Sequence, residues 1–302
     1  MPNQPLVSIG LPTYNRASTL RRAIESALAQ DYPNIELVIS DNASTDETQA
    51  ICLEVAARDK RVRYLRQQAN QGATVNFREV LKQSRGEFFM WLSDDDWMDE
   101  SYVSQCLSVL LAQPDLGLVC GRERYYENGE FVFESTQINL LQNTGAERVQ
   151  AYYEQVSMNG TIYGLMRREQ ILKVPFYEML AGDWLFVARV AFQSKVKTLE
   201  SVAINRSVAG ESQDIHRLAA SLGLSKFMVK NPHLRIALSM FGDIMRQSSP
   251  YQSMSLFARL GLGYRSSAAV IKRYCVPDWH RRLYERAKRL EAGLKHRFRS
   301  VQ

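Results

Sequence analysis

Two hydrophobic periodicities alternate along the first 120 residues. Leu6–Leu11 is an apolar run of strand length that Pro12 stops. From Ala17 the apolar positions Leu20, Ala23, Ile24, Ala27 and Leu28 fall at helical spacing, until Asp31-Tyr32-Pro33-Asn34 breaks the pattern. Ile35–Ile39 predicts a second strand, ending at Asp41-Asn42. Ser44-Thr45-Asp46-Glu47 has the form of a capping box, with Ser44 as cap and Glu47 reaching back, so a helix carrying Ile51, Cys52, Val55 and Ala56 is expected to open there. Val62–Leu65 predicts a third strand, and Phe77, Val80 and Leu81 a third helix ending near Gly86. Phe88–Leu92 reads as a buried strand running into Ser93-Asp94-Asp95-Asp96. A helix from about Glu100 to Ala112 and a strand over Leu116–Cys120 follow.

Strands and helices in strict alternation need crossover connections. The fold class is therefore α/β, Rossmann-like, with a mostly parallel sheet and helices on both faces. Such sheets bind ligands at the carboxyl ends of their strands. Those ends here offer Thr13-Tyr14-Asn15, then Asp41, then Asp94-Asp95-Asp96.

Beyond residue 120 the alternation loosens. Glu130–Phe133 reads as an edge strand, Ala146–Gln155 as a helix and Thr161–Met166 as a strand. Asp183–Phe192 is helical, with its aspartate at the start. Val196–Leu199 and Val202–Asn205 read as two short strands, and from about Arg217 the pattern is helical only. These features place one domain over 1–206, with halves of about 1–120 and 121–206, and a helical region over 207–302.

Composition narrows the class. The 302 residues are 45% hydrophobic and 23% charged, with 16 Gly and 9 Pro, which excludes collagen-like, low-complexity or mainly disordered chains. Mean hydropathy is −0.29, and no apolar run reaches the ~18 residues of a membrane-spanning helix. Met1-Pro2-Asn3-Gln4-Pro5 lacks the basic-then-apolar form of a secretory leader, so a cytoplasmic location is expected. The scattered Cys52, Cys106, Cys120 and Cys275 then read as buried, reduced thiols. The net charge of +6 is local. Lys272–Arg299 holds ten basic and three acidic residues, whereas residues 1–271 hold 28 and 29. A diffuse nucleic-acid surface is thereby disfavoured.

The first strand is followed by Pro12-Thr13-Tyr14-Asn15 rather than by GxGxxG, and no Walker-type Gly/Lys loop occurs. Nicotinamide enzymes and P-loop NTPases are thus unfavoured. Three carboxylates in a row at the end of an apolar strand repel one another, and a hard divalent cation, Mg²⁺ or Mn²⁺, relieves that repulsion. Acidic residues ahead of a helix also complement its macrodipole, and Asp41-Asn42 alone is ordinary turn chemistry. Taken together, two acidic strand ends beside Tyr14 have the makings of a nucleotide pocket. The aromatic ring would meet the base, carboxylates the base or ribose, and metal the phosphates.

Val7-Ser8-Ile9-Gly10-Leu11-Pro12-Thr13-Tyr14-Asn15-Arg16, then Ile39-Ser40-Asp41-Asn42-Ala43-Ser44-Thr45-Asp46, then Gly86–Trp97 resemble family-2 glycosyltransferases of the GT-A fold. The resemblance spans roughly 5–206. It implies inverting transfer of a sugar from a nucleotide-diphospho-sugar, with a divalent metal. Pro12, Thr13, Tyr14 and Asn15 match the nucleotide-contacting segment, and Asp41 matches the base-binding aspartate. Aligned on Trp97, the family's acidic element puts Ser93 where an aspartate usually stands, Asp94 at the central position and Asp95 at the metal-ligand position. An Asp94-x-Asp96 register would make Asp96 a ligand as well. The family's base lies in a Glu-Asp pair at a helix start. Asp183 takes that place, with Gly182 where the glutamate is usual. Physically, Asp183 could accept the acceptor hydroxyl's proton, although an N-cap role fits the same position. Asn159–Gly164, with Gly160 and Thr161, resembles the acceptor-side segment, and Arg206–Ser212 a lid over the diphosphate, with His216 as a lid contact.

The resemblance implies a glycan or lipid-linked acceptor, in surface polysaccharide or lipid-linked glycan synthesis. The basic 272–299 segment, with Trp279, Tyr284, Leu290, Leu294 and Phe298, reads either as a solvated helix or as a contact with the anionic inner face of a membrane. Two other readings stay open. One is a nucleotidyltransferase, which would want a Gly/Arg/Lys-rich first loop. The other is a non-catalytic nucleotide- or glycan-binding protein, which Ser93 and Gly182 would suit.

Overall fold

The computed structural model describes residues 4–208, 215–247 and 249–277. The segment Ala209–Ser212 of the expected lid, and the expected basic segment from 278 onward, lie outside the described residues. The chain divides into two compact units, Met1–Asp214 and Ile215–Gln302.

The first unit opens with β1 (Val7–Thr13), α1 (Leu20–Leu28), β2 (Ile35–Asp41), α2 (Thr48–Arg58), β3 (Val62–Arg66), α3 (Ala73–Gln83) and β4 (Phe88–Trp91). β5 (Trp97–Met98), α4 (Tyr102–Ala112), β6 (Leu116–Glu127), β7 (Glu130–Glu134) and α5 (Gly145–Gln155) come next. β8 (Leu165–Arg167), α6 (Arg168–Ile171), α7 (Gly182–Gln193) and β9 (Lys195–Ser207) complete it. One sheet runs β3-β2-β1-β4-β8-β6-β9-β5, with β7 paired to β6. Every residue of β1 and β2 is buried, as expected of central strands covered on both faces. The helical stripe of α1 is also as read: Leu20, Ala23, Ile24 and Ala27 are its buried residues.

β3, β2, β1 and β4 are mutually parallel. β8 then enters antiparallel between β4 and β6, which restores the common direction in β6, and β9 runs parallel to β6. Three local expectations are corrected. Thr161–Met166 is a 3-10 turn over Gly160–Tyr163 followed by the short β8, because Gly164 breaks the run. The two strands expected over 196–205 are one strand, β9, with an irregularity opposite Gly121/Arg122. The capping box at Ser44–Glu47 does not form. Ser44 Oγ instead accepts the Asn15 N–H at 2.9 Å, and α2 starts at Thr48 without a side-chain cap. A capping box stands at Thr144–Glu147 ahead of α5.

All four cysteines are free and buried, and burial pushes the thiols of Cys52 and Cys120 up to about 12. A raised pKa keeps these two in the poorly nucleophilic thiol form at neutral pH. The second unit is helical, with α8 (Ile215–Ser221), α9 (Lys226–Lys230), α10 (Pro232–Met245) and α11 (Leu256–Val270), continued by a π-helical turn, Ile271–Cys275. Among the described residues no helix is long and apolar enough to cross a membrane.

Candidate active site

Strand register assembles the site. β1 and β2 pair Thr13 with Asp41. β5 and β9 pair Trp97 with Asn205, which sets Asp96 beside Arg206, and β6 and β9 pair Tyr125 with the same Arg206. Residues distant in sequence therefore meet at one edge of the sheet.

The loop after β1 is held by the loop after β2. Asn15 takes a left-handed conformation (φ 52°), and its side chain accepts the Thr45 N–H at 2.8 Å. The Arg16 N–H donates to the Thr48 hydroxyl and the Ala17 N–H to Asp46. The Tyr14 ring stays exposed. Asp41 is fully buried. One of its oxygens accepts the Ser44 N–H at 2.8 Å, and the other accepts from the Tyr64 hydroxyl at 2.8 Å and from Arg66 at 3.0 Å.

The three aspartates after β4 differ in their partners. Asp94 is buried beside Arg16 at 3.4 Å. Burial pushes its carboxyl up to about 7, against the pull of the Thr13 side chain, Arg16 and the Tyr14 N–H. Asp96 is buried against Arg206 at 3.0 Å, and burial likewise pushes it up to about 7, with Asp95 and Asp94 adding repulsion and Arg206 opposing it. Asp95 is half-buried and accepts only the Ser93 hydroxyl as a side-chain partner. Among the described residues it has no ion pair. Ser93 is thus a hydrogen-bond donor to Asp95.

Arg206 is the hub. It pairs with Asp96 and with the buried Glu123 at 3.5 Å, donates to the Tyr125 hydroxyl at 2.9 Å and lies over the Tyr163 ring. Burial alone would lower its pKa, but the charges around it hold it well above the ordinary value. Glu123 accepts the Tyr125 hydroxyl at 2.9 Å and lies against Gly160, and burial raises its pKa. The sequence pattern stops the strand at Cys120, so Glu123 escaped it. The signal was the continued alternation Gly121, Glu123, Tyr125. Gly160 is compelled by this neighbour, because a Cβ there would come within 2.1 Å of the Glu123 carboxyl carbon. Thr161 is buried in the same turn.

Asp183 stands in the first turn of α7, half-buried. Asn159 donates to its Oδ2 at 2.8 Å, and Asn159 in turn accepts the Tyr152 hydroxyl at 2.7 Å. Burial raises the Asp183 pKa, while Asn159, the helix-terminal N–H groups and Arg206 oppose the rise. Gly182 precedes it for a steric reason, since a Cβ there would meet the Tyr177 carbonyl oxygen at 2.3 Å. Asn159 supplies a support that residue 182 cannot. His216 lies in the second unit, its ring nitrogen 2.8 Å from the Val229 carbonyl oxygen. A separate cavity of about 510 Å³ beside α3, lined by Trp91, Val174 and Phe176 among others, contains none of these residues.

Among the described residues no three His, Cys, Asp or Glu side chains are grouped to hold a metal by themselves. The donor set nevertheless fits Mg²⁺ or Mn²⁺, which are commonly held by one or two carboxylates plus substrate phosphates. Among the described residues Asp95 is the carboxylate of the three that makes no ion pair, and Asp96 stands next to it.

With this geometry in place, comparison with known proteins is direct. Residues 8–174 match glycosyl transferase family 2, and the chain belongs to that family. It is 38% identical over 112 residues to the putative colanic acid biosynthesis glycosyl transferase WcaA of Escherichia coli, covering 37% of this chain and 39% of that one. It is 35% identical over 114 residues to the GalNAc(5)-diNAcBac-PP-undecaprenol beta-1,3-glucosyltransferase of Campylobacter jejuni, covering 37% and 36%. The matches therefore span under two fifths of these curated relatives. In fold, the chain is similar to the mannosyltransferase PcManGT of Pyrobaculum calidifontis, solved with GDP-Man and Mn²⁺ (TM-score 0.58, 16% identity, 96% of this chain and 81% of that one). It is also similar to Staphylococcus aureus TarS 1–349 in complex with UDP-GlcNAc (TM-score 0.57, 18% identity, 89% of each).

Proposed function

We propose that this chain is an inverting, metal-dependent glycosyltransferase that moves a sugar from a nucleotide-diphospho-sugar to a hydroxyl of a glycan or lipid-linked acceptor. Residues 1–206 form the catalytic domain in this reading, with the donor held by about 1–120 and the acceptor by 121–206. The observation that carries it is the convergence of a supported carboxylate, Asp183, with the Arg206–Asp96 cluster at the ends of parallel strands.

Tyr14 offers its exposed ring to the base, with Pro12, Thr13 and Asn15 shaping the loop beneath it. Asp41 contacts the base or ribose once Arg66 swings aside, and Asp94 faces the ribose side. Asp95 and Asp96 would hold a divalent cation, which would supply charge neutralisation for the departing diphosphate. Asp183 takes the proton of the acceptor hydroxyl as that oxygen bonds to the anomeric carbon. The bond to the diphosphate oxygen breaks on the opposite face, so one displacement inverts the configuration. General-base help of this kind is worth about 10²–10⁴-fold. Asn159 favours the ionised form of Asp183 against the effect of burial, and Gly160 and Thr161 wall the acceptor side. Arg206 holds Asp96 and Glu123 in place at this site. The names of the Escherichia coli and Campylobacter jejuni relatives support a surface-polysaccharide or polyprenol-linked acceptor.

The test is thermal unfolding with UDP, GDP, dTDP and CDP, each with and without Mn²⁺. A ligand at 100 times its Kd adds about 2.7 kcal/mol of stability. One diphosphate is expected to give a Mn²⁺-dependent shift that Asp95→Ala abolishes and Asp183→Asn retains. If no diphosphate shifts the transition with Mn²⁺ present, the donor assignment fails and a non-catalytic role takes its place.

A further inference from the structure

The two sides of α11 differ. Leu262, Gly263, Ser266 and Val270 are buried. Gly263 lies against Phe241 of α10, where a Cβ would come within 2.9 Å of the ring. Ser267 donates to the Ala237 carbonyl at 2.9 Å, and Arg259 donates to the Ile244 carbonyl at 2.9 Å. One side of the helix is thereby fixed to α10.

At about 100° per residue, Leu256, Phe257, Leu260 and Tyr264 fall in one sector on another side. Their exposures are 57%, 84%, 38% and 72%. One exposed apolar side chain is ordinary, but four in a contiguous stripe mark an interaction surface.

Charge selects the partner. From Ile244 to Pro277 there are five Lys/Arg and no Asp or Glu. Arg265 borders the apolar sector on the same wheel, and Lys272 is exposed in the π-helical turn that follows. Pairing of two copies through this face would set like charges against each other. An anionic lipid surface instead gives the stripe an apolar phase and the cations their phosphates. Phe and Tyr suit that boundary, where a ring can sit between acyl chains and headgroups.

We propose that α11 lies in the plane of an anionic bilayer surface, with Phe257 and Tyr264 at the headgroup–acyl boundary and Arg265 and Lys272 on lipid phosphates. Among the described residues no helix is long and apolar enough to cross a bilayer, and α11 is long enough to lie on one. The contact sits upstream of most of the basic 272–299 segment and is independent of the catalytic assignment.

The full chain is sedimented with vesicles of mixed phosphatidylcholine and phosphatidylglycerol, and with phosphatidylcholine alone. Binding to the mixed vesicles is expected, and it should weaken about 10- to 100-fold in Phe257→Ser/Tyr264→Ser without a change in unfolding temperature. Arg265→Ser/Lys272→Ser is expected to weaken it about tenfold and to flatten its salt dependence. The emission of Phe257→Trp should shift to the blue on mixed vesicles. A wild-type chain left in the supernatant overturns the proposal, as does a Phe257→Ser/Tyr264→Ser chain that binds undiminished. A dimer in solution that the same two substitutions dissociate would give the stripe to a second copy instead.

Discussion

Asn159 donates its side-chain amide to Asp183 Oδ2 at 2.8 Å, and its orientation is fixed from behind by the Tyr152 hydroxyl, which donates to Asn159 Oδ1 at 2.7 Å. The amide oxygen is thus committed to Tyr152, and only the NH₂ can face the carboxylate. A hydrogen bond to the charged form favours that form, so Asn159 restrains the rise that burial imposes on Asp183.

Replacing Asn159 by Ala should therefore move the acidic limb of the pH profile of kcat/KM upward. A hydrogen bond to a charged group contributes about 1.5–3 kcal/mol, and one pH unit corresponds to about 1.4 kcal/mol, so the limb should move by about one to two units. Tyr152→Phe should move it in the same direction by less. Steady-state rates across pH check this, and an acidic limb that stays in place in both variants would remove Asn159 from the proton-transfer apparatus.

Asp183→Asn should separate activity from stability. Loss of the base should lower kcat by about 10²–10⁴-fold. For stability the sign follows from a folded-state pKa raised by burial. Between the ordinary carboxylate value and the raised one, the folded chain binds the proton that the unfolded chain has released. Wild-type stability therefore falls as pH rises through that window. The amide variant escapes this fall. Its stability relative to wild type should grow as pH rises through the window and stay constant above it. Urea unfolding across pH measures the difference, and a relative stability that declines with rising pH would contradict the buried-carboxylate account.

Much of this site was legible in the sequence where the signal was local. The strand ends Thr13-Tyr14-Asn15, Asp41 and Asp94–Asp96 followed from alternating periodicity, because a strand that stops at a polar cluster exposes that cluster at the sheet edge. Gly182 looked like a missing glutamate, and only packing against the Tyr177 carbonyl shows why glycine stands there. Glu123 and Tyr152 were illegible for a different reason. Glu123 acts through Arg206, distant in sequence, and Tyr152 acts on Asp183 only through Asn159, and neither chain of contacts is encoded in a periodicity. Ser44 shows the reverse case. The capping pattern is present, but a tertiary hydrogen bond to Asn15 claims the hydroxyl.

Asp41 should prove structural as well as donor-binding. Its carboxylate satisfies Ser44, Tyr64 and Arg66 from a fully buried position. Asp41→Ala leaves the Ser44 N–H and the Tyr64 hydroxyl without this acceptor, while Arg66 keeps Gln49 and the Ser44 carbonyl. Breaking a buried pair from one side costs about 3–5 kcal/mol, and since Arg66 is partly exposed and can turn to water, about 2–3 kcal/mol is expected. Asp41→Asn keeps an acceptor and should lose less. Urea midpoints decide this, and an Asp41→Ala chain as stable as wild type would show that the network contributes nothing.

Gly160 and Glu123 should behave as one unit. A Cβ on residue 160 would lie 2.1 Å from the Glu123 carboxyl carbon and 2.3 Å from its Oε2. Glu123 cannot simply turn away, because Tyr125 and Arg206 both hold it. Gly160→Ala should thus cost about 1–3 kcal/mol through forced displacement. Glu123→Ala alone opens a cavity and strips Arg206 of one of its two carboxylates, leaving Asp96. In the double variant the clash disappears, and the new methyl group fills part of the space left by the glutamate. Its destabilisation should therefore fall short of the sum of the two single effects by at least about 1 kcal/mol, within the coupling range of contacting residues. Urea unfolding of the four proteins measures the coupling directly. Strict additivity would mean that Glu123 yields freely to a side chain at 160, and that the Arg206 cluster does not depend on this contact for its shape.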